Sequence, residues 1–294
     1  MRRGVALLIT LGVITTLITL IGISFSYLDK AKRNSTDMSA LIQANILYKD
    51  ISKVLVSLLG SKDASSVIST MYLLPVVIQE EGGEFYMNIA CHPNSNAIDI
   101  NWLSFKDDKT KVKEFDLINH MLDLIIDKYD IEDASKLMEL IYQALEGDKI
   151  LYNIPSRIKE KKLIHSEKQF NNILKEYQLQ TGDSKIFLVP WGNYIAFVGK
   201  NSKIDSQYLS SDFISLFFNI ELEDVLENWI EGDSLVKFLQ DSDGDMSLYD
   251  KKLFSSTAIK HMECDTTYSY NSQSYRFSFN YTDKKVDNFE FQTQ

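Results

Sequence analysis

The chain predicts an α+β fold, with a long N-terminal transmembrane helix packed on an antiparallel sheet and a large helical insertion between the strands. Three features of its 294 residues predict it. The first is an uncharged N-terminal run that passes into an amphipathic stretch without a proline. The second is helical spacing of apolar residues through the middle of the chain. The third is strict apolar–polar alternation near the C-terminus. The order long helix, strand, helices, strands belongs to an α+β body rather than to a parallel, doubly wound one.

The N-terminal element comes first. Val5 to Phe25 holds 21 residues without a charge, enough to cross a hydrocarbon core of ~30 Å as a helix. Arg2 and Arg3 precede it, which places the short N-terminal end in the cytoplasm and the body outside. Thr10, Thr15, Thr16 and Thr19 interrupt only mildly, because a hydroxyl in a helix can bond the backbone of the previous turn. A secretory signal peptide needs a shorter apolar core and a small-residue cleavage site, and Ser26-Tyr27-Leu28-Asp29-Lys30 offers a poor one. A plain signal anchor fits the run. A prepilin-type leader, cut directly after a glycine that follows basic residues, fits Arg2-Arg3-Gly4 and the following Val5. The apolar pattern then continues through Leu41, Ile42, Ala44, Ile46, Leu47, Ile51, Val54, Leu55, Leu58 and Leu59 at helical steps, and Gly60 can end it. A nearly continuous helix of about 55 residues, roughly 80 Å long, is the expectation.

The body follows in order. A short helix is expected near Ala64 to Leu74, then a strand over Glu84 to Ala90 and a turn at His92-Pro93-Asn94. Helices are expected at about 111–128, 132–146 and 166–178. Ile186 to Val189 and Tyr194 to Val198 read as a hairpin around Pro190-Trp191-Gly192-Asn193. Tyr275 to Tyr281 alternates strictly, Phe289 and Phe291 continue the style, and Ile259 to Tyr270 supplies a further strand. A weak internal repeat is visible. Ile98-Asp99-Ile100-Asn101-Trp102-Leu103-Ser104 resembles Ile204-Asp205-Ser206-Gln207-Tyr208-Leu209-Ser210, and each copy leads into helices that reach Glu-Gly-Asp, at 146–148 and 231–233.

Composition narrows the function. Apolar residues are 45% and charged residues 24%, which excludes a disordered chain. The net charge of -10 and the lack of clustered Lys and Arg argue against a nucleic-acid surface. No nucleophile elbow, phosphate loop or zinc-protease motif is present, so an enzyme is not expected. Cys91 and Cys264 are open to two readings, a disulfide or two unpaired buried thiols; the four histidines are scattered and make no zinc set with them. Asp241, Asp243 and Asp245 alternate, with Asp250 further on. That pattern suits one side of a calcium ion or an acidic, solvated turn. Met246 and Lys252 stand where a full twelve-residue calcium loop needs Gly and Glu.

Met-Arg-Arg-Gly-Val-Ala-Leu-Leu-Ile-Thr-Leu resembles the start of the K-type minor pseudopilins of type II secretion, the general secretion pathway protein K family. Most pilins and pseudopilins carry Glu as the fifth residue after the cut. Here that residue is Ile9, and absence of the Glu marks the K type. The resemblance implies a leader over 1–4, a pilin-like helix over 5–60 with its transmembrane part at 5–25, and a periplasmic body over 61–294. It places the insertion at about 105–180 and the C-terminal strands at about 259–292. It also implies cleavage between Gly4 and Val5 by a prepilin peptidase, methylation of the new amine, and an inner-membrane, single-pass location. A place at the pseudopilus tip with the I and J types, above the inner-membrane secretion platform, is the implied role in protein export. Related pseudopilins can hold calcium in the globular part. A type IV pilus minor pilin and a signal-anchored periplasmic binding or sensor module are the rival readings.

Overall fold

A computed structural model describes residues 26, 30, 35–60, 64–80, 85–146, 163–199, 203–242, 244–270, 273–282 and 285–292. The 5–25 run lies outside these, together with Gly4, Val5 and Ile9. Among the described residues no helix is long and apolar enough to cross a membrane.

Among the described residues, two separate hydrophobic cores are found. One draws only on residues between Ile98 and Phe254. The other joins residues from Ala40 to Cys91 with residues from Met262 to Tyr281. The second core is built by helix α1 (35–59) and a five-stranded antiparallel sheet. The strands are β1 (Val76–Gln79), β2 (Tyr86–Pro93), β7 (His261–Tyr270), β8 (Gln273–Thr282) and β9 (Lys285–Gln292), in the spatial order β1-β2-β7-β8-β9. Because side chains alternate along a strand, the register stacks Met87, Ile89, Cys91, Cys264, Tyr268, Tyr275, Phe277 and Phe279 on one face. Helix α1 covers that face with Ala40, Ala44, Ile51, Leu55 and Leu59. The two alanines matter: with no long side chain in the way, the Tyr268 hydroxyl reaches the Ala40 carbonyl. Tyr48 lies edge-on to Phe279 at 5.8 Å and donates its hydroxyl to the Val286 carbonyl at 2.8 Å. Helix α2 (Ala64–Leu73) returns beside β2.

The chain leaves the sheet after Pro93 and returns at His261, whose carbonyl accepts from Asn94 N–H at 3.1 Å. The described residues between form one inserted body. It holds β3 (Ile98–Asp99), a 3-10 turn (Ile100–Phe105), α3 (Val112–Tyr129), α4 (Ala134–Glu146), α5 (Glu167–Thr181), β4 (Ile195–Ala196), β5 (Ile204–Asp205), α6 (Ser211–Phe218), α7 (Leu222–Asn228), α8 (Leu235–Asp241) and β6 (Phe254–Ser255). Serines start α5, α6 and α8: Ser166, Ser210 and Ser234 each accept from the N–H three residues on. Gly182, at φ 78°, ends α5 in the left-handed conformation that glycine adopts without strain.

The repeat is structural. Ile98–Asp99 and Ile204–Asp205 are both two-residue strands, paired in parallel with β4 and β6. Asp99 and Asp205 are both buried. One oxygen of each accepts from the N–H two residues on, at Asn101 and at Gln207. The other accepts from the chain just past the partner strand, at Gly199 N–H and at Ile259 N–H. Asn101 bonds the backbone of Ile164, and Gln207 that of Gly232. The matching helices α3 and α6 end on Asp130 (φ 51°) and Asn219 (φ 55°), left-handed caps that these two residue types tolerate. Ile131 and Ile220 follow, both buried. Asp130-Ile131-Glu132 thus stands in the first copy where Asn219-Ile220-Glu221 stands in the second. Of the Glu-Gly-Asp pair, residues 147 and 148 lie outside the described set.

Three local expectations differ from the structure. The hairpin at 186–198 does not form. Lys185–Phe187 and Trp191–Asn193 are 3-10 turns, and Ile195–Ala196 pairs with β3 instead. Asp183 accepts from Lys185 N–H to start the first turn, Trp191 Nε1 donates to the Ile186 carbonyl at 3.0 Å, and Pro190 has no N–H for a ladder. Strand β2 runs on through Pro93 in place of the expected turn at His92-Pro93-Asn94, because its pairing with β7 persists to Pro93 opposite Met262. The inserted core reaches from Ile98 to Phe254, beyond the expected 105–180, since the second repeat copy packs against the first.

Cys91 and Cys264 stand opposite each other in the β2–β7 ladder and form a disulfide with Cα atoms 4.1 Å apart. It closes a loop of 173 residues across the neck of the insertion. Loop entropy alone predicts a loss of about 5 kcal/mol on reduction, read as the shift in urea unfolding with and without dithiothreitol. A shift below about 1 kcal/mol would show that the reduced chain keeps the neck ordered when unfolded.

Candidate interaction surface

Helix α1 carries more apolar residues than its sheet can cover. Met38, Ile42, Ile46, Val54 and Leu58 are each between 46% and 59% exposed. They fall on a single i+4 ridge, broken only by Asp50. Because 3.6 residues make a turn, such a ridge winds around the helix and is the unit that packs into a neighbouring helix's groove. At its N-terminal end it faces away from the sheet. At its C-terminal end it becomes the wall of a groove of about 490 Å³ between α1, α2, β1 and β2. Val54, Leu58, Val67, Met71, Val76 and Ile78 line that groove with few polar neighbours. Apolar residues on all of 41, 42, 44, 46 and 47 are too many for a one-sided amphipathic helix, and that surplus was the sequence signal for the ridge.

A second, polar cleft of about 760 Å³ lies between α7 and α8, lined by Asp224, Trp229, Asp233, Lys237 and Asp241. Trp229 packs on Phe238 at 5.4 Å and donates its ring N–H to the Leu209 carbonyl at 3.0 Å. Of the aspartates expected to suit calcium, the structure describes Asp241, Asp245 and Asp250. Asp250 gives one oxygen to Lys113 and the other to Lys252 N–H, which holds its carboxyl below the usual range. Asp245 caps the 3-10 turn Met246–Leu248 through Ser247, which lowers its pKa likewise. Gly244 stands where a Cβ would come within 2.8 Å of Ile220 Cδ1 and 2.9 Å of Leu239 Cδ2, so packing accounts for the glycine. Asp243 lies outside the described residues. Among the described residues no group of three or more His, Cys, Asp or Glu could hold a metal.

The seam between the two bodies is polar. Tyr72 of α2 stands edge-on to Tyr208 at 4.9 Å and donates to the His261 carbonyl at 3.2 Å. Ser69 meets the Tyr208 hydroxyl at 2.8 Å, and Ser95 Oγ meets His261 Nδ1 at 2.9 Å. Lys260 reaches the Leu59 carbonyl at 2.7 Å, where a cation suits the C-terminal end of α1. Burial pushes the Tyr72 hydroxyl pKa far up, and the nearby Asp205 adds to it. Burial also pushes Asp205 up to about 6, against the N–H groups of Ile259 and Gln207 that favour its charge.

No family model matches the chain, and no curated protein matches it. A solved chain of the GspK-GspI-GspJ complex, from the type 2 secretion system of enterotoxigenic Escherichia coli, matches with a TM-score of 0.56 and 11% identity. The match covers 89% of this chain and 100% of that one. At this identity the likeness is one of fold.

The Asp205 geometry predicts a pH dependence. Its folded pKa of about 6 exceeds the ordinary 3.8. The folded state therefore binds the proton more tightly, and stability from this group is complete below about pH 4 and lost as pH rises through about 6. The expected loss is on the order of 3 kcal/mol. Urea midpoints across pH 3.5 to 7 (roughly the window of both pKa values) should slope downward in the native chain and flatten in Asp205→Asn.

Proposed function

We propose that this chain is a K-type minor pseudopilin of type II secretion, acting by assembly and not by catalysis. The observation that carries the reading is α1: one face is laid on an antiparallel sheet, and a second apolar ridge is left outward. It occurs in a fold shared with a chain of the GspK-GspI-GspJ complex. That ridge suits helix packing with the I- and J-type minor pseudopilins.

The remainder follows from the N-terminus. Arg2 and Arg3 hold the leader in the cytoplasm, the 5–25 run spans the inner membrane, and the body stands in the periplasm. Prepilin peptidase cuts between Gly4 and Val5, leaving an amine at the edge of the apolar helix. An unpaired ammonium in the membrane is costly, and in the filament the Glu of an incoming subunit neutralises its neighbour's amine. Ile9 supplies no such carboxylate. A subunit that need not dock beneath another suits the tip, and an insertion with its own core, 98–254, would crowd any subunit stacked above. From the tip the chain would nucleate pseudopilus growth on the inner-membrane platform for export across the outer membrane.

N-terminal sequencing of chain extracted from membranes is expected to return Val5, with its amine methylated. An intact Met1 would leave only a signal-anchored periplasmic module. Ile9→Glu is expected to be processed normally. Ile42→Lys with Ile46→Lys should cut co-purification with the I- and J-type subunits by about tenfold or more, as removing two anchors from a helix interface does. Melting temperature should stay unchanged. Undiminished co-purification would remove α1 as the assembly surface. Partners drawn from a pilus operon instead would move the chain to the type IV pili.

A further inference from the structure

The disulfide lies on the covered face of the sheet. Cys91 and Cys264 are 4% and 0% exposed. The register puts Cys91 of β2, Cys264 of β7 and Phe279 of β8 level with one another. Helix α1 crosses over that level. Tyr48 stands edge-on to Phe279 at 5.8 Å, on the β8 side of the bond. Ile51 and Leu55 line the groove with Met87 and Ile89 of β2, on the bond's other side. The stretch from Tyr48 to Leu55 therefore straddles β7, with Cys264 beneath it.

The helix and the strands are held in different ways. Side chains bonded to backbone carbonyls fix α1: Tyr268 donates to Ala40, Tyr48 to Val286 at 2.8 Å, and Lys260 to Leu59 at 2.7 Å. Two of the residues that α1 lays on the sheet, Ala40 and Ala44, are small and bury little apolar area. Strands β7 and β8 instead share a regular main-chain ladder from His261 opposite Thr282 to Tyr270 opposite Gln273. Local opening starts where the attachment is weakest, so α1 can leave the sheet before the strands part.

Disulfide exchange needs a thiolate to attack one sulfur while the other leaves as a thiolate, and the attacker needs access to the sulfur. We propose that α1 is a lid on the Cys91–Cys264 bond: thiols exchange with the bond while α1 is off the sheet and not while α1 is seated. Formation obeys the same rule. In the folding chain the bond closes before α1 settles, the two cysteine thiols giving two electrons and two protons to an external disulfide, which becomes two thiols. A neighbour that draws α1 off the sheet would unseal the bond. The lid holds whichever filament or module the chain serves.

The test follows reduction by dithiothreitol in the full chain in lipid nanodiscs at neutral pH, with the freed thiols trapped and counted by mass. One dithiothreitol thiolate opens the bond, and its second thiol closes the reductant's own ring as both cysteine thiols are released. Relative to the chain unfolded in urea, the bond should be protected, but about tenfold less than the main-chain amides of β7 and β8 read by hydrogen exchange. Tyr48→Phe keeps the ring, loses the bond to Val286 and should speed reduction about fivefold. Leu140→Ala, in the inserted core, should leave the rate unchanged. Protection equal to that of the β7–β8 amides overturns the lid, because the sheet would then have to unfold first. Reduction as fast as in the unfolded chain overturns it too, because the seated helix would leave the bond open. An unchanged rate in Tyr48→Phe, or an equal acceleration in Leu140→Ala, also overturns it.

Discussion

The antiparallel pairing of β2 with β7 is the constraint on which the rest of the molecule depends. These strands lie far apart in sequence, yet they align from Met87 opposite Tyr268 to Pro93 opposite Met262. Once they are paired, the chain between them must leave and return at one end of the sheet. It must therefore bury its own apolar surface, and it does so in a core that shares no buried residue with the sheet core. The disulfide sits near the exit, where it shortens the unfolded chain's loop most effectively.

Within the insertion, one local device is used twice. A buried aspartate accepts from the turn that follows it and from the chain leaving the partner strand, so a single carboxylate pins three segments. Burying an ionised group is costly unless its lone pairs are filled. That is the reason the surrounding backbone N–H groups are directed at it. Asp205 shows the balance: burial outweighs its two donors, and the group holds its proton to about pH 6. Its bond to Ile259 N–H ties the second repeat copy to the chain that enters β7 at His261, whose carbonyl accepts from Tyr72 of α2.

The outward surface of the sheet body is not uniform. Helix α1 satisfies the sheet with one face and keeps an apolar ridge on another. In a folded chain such surfaces lower solubility without adding internal packing, which is why they read as places for neighbours and not as residue of an imperfect core.

Much of this was legible in the amino-acid order because local physics writes a period. The helices 64–74, 111–128, 132–146 and 166–178 and the strand at 275–281 follow from three- or two-residue spacing, and the structure places elements there with shifted ends. The likeness of Ile98-Asp99 to Ile204-Asp205 was visible too. Three things were decided only in three dimensions. The 186–198 stretch has strand-like composition, but buried turns around Asp183 and Trp191 claim its hydrogen bonds. The helix α1 pattern cannot say which apolar residues meet the sheet and which meet solvent, because that depends on where Tyr268 and Tyr48 anchor it. The spacing of Cys91 and Cys264 leaves a disulfide and two free thiols equally open. The β2–β7 register brings their Cα atoms to 4.1 Å, since pairing partners are set by tertiary packing and not by distance along the chain.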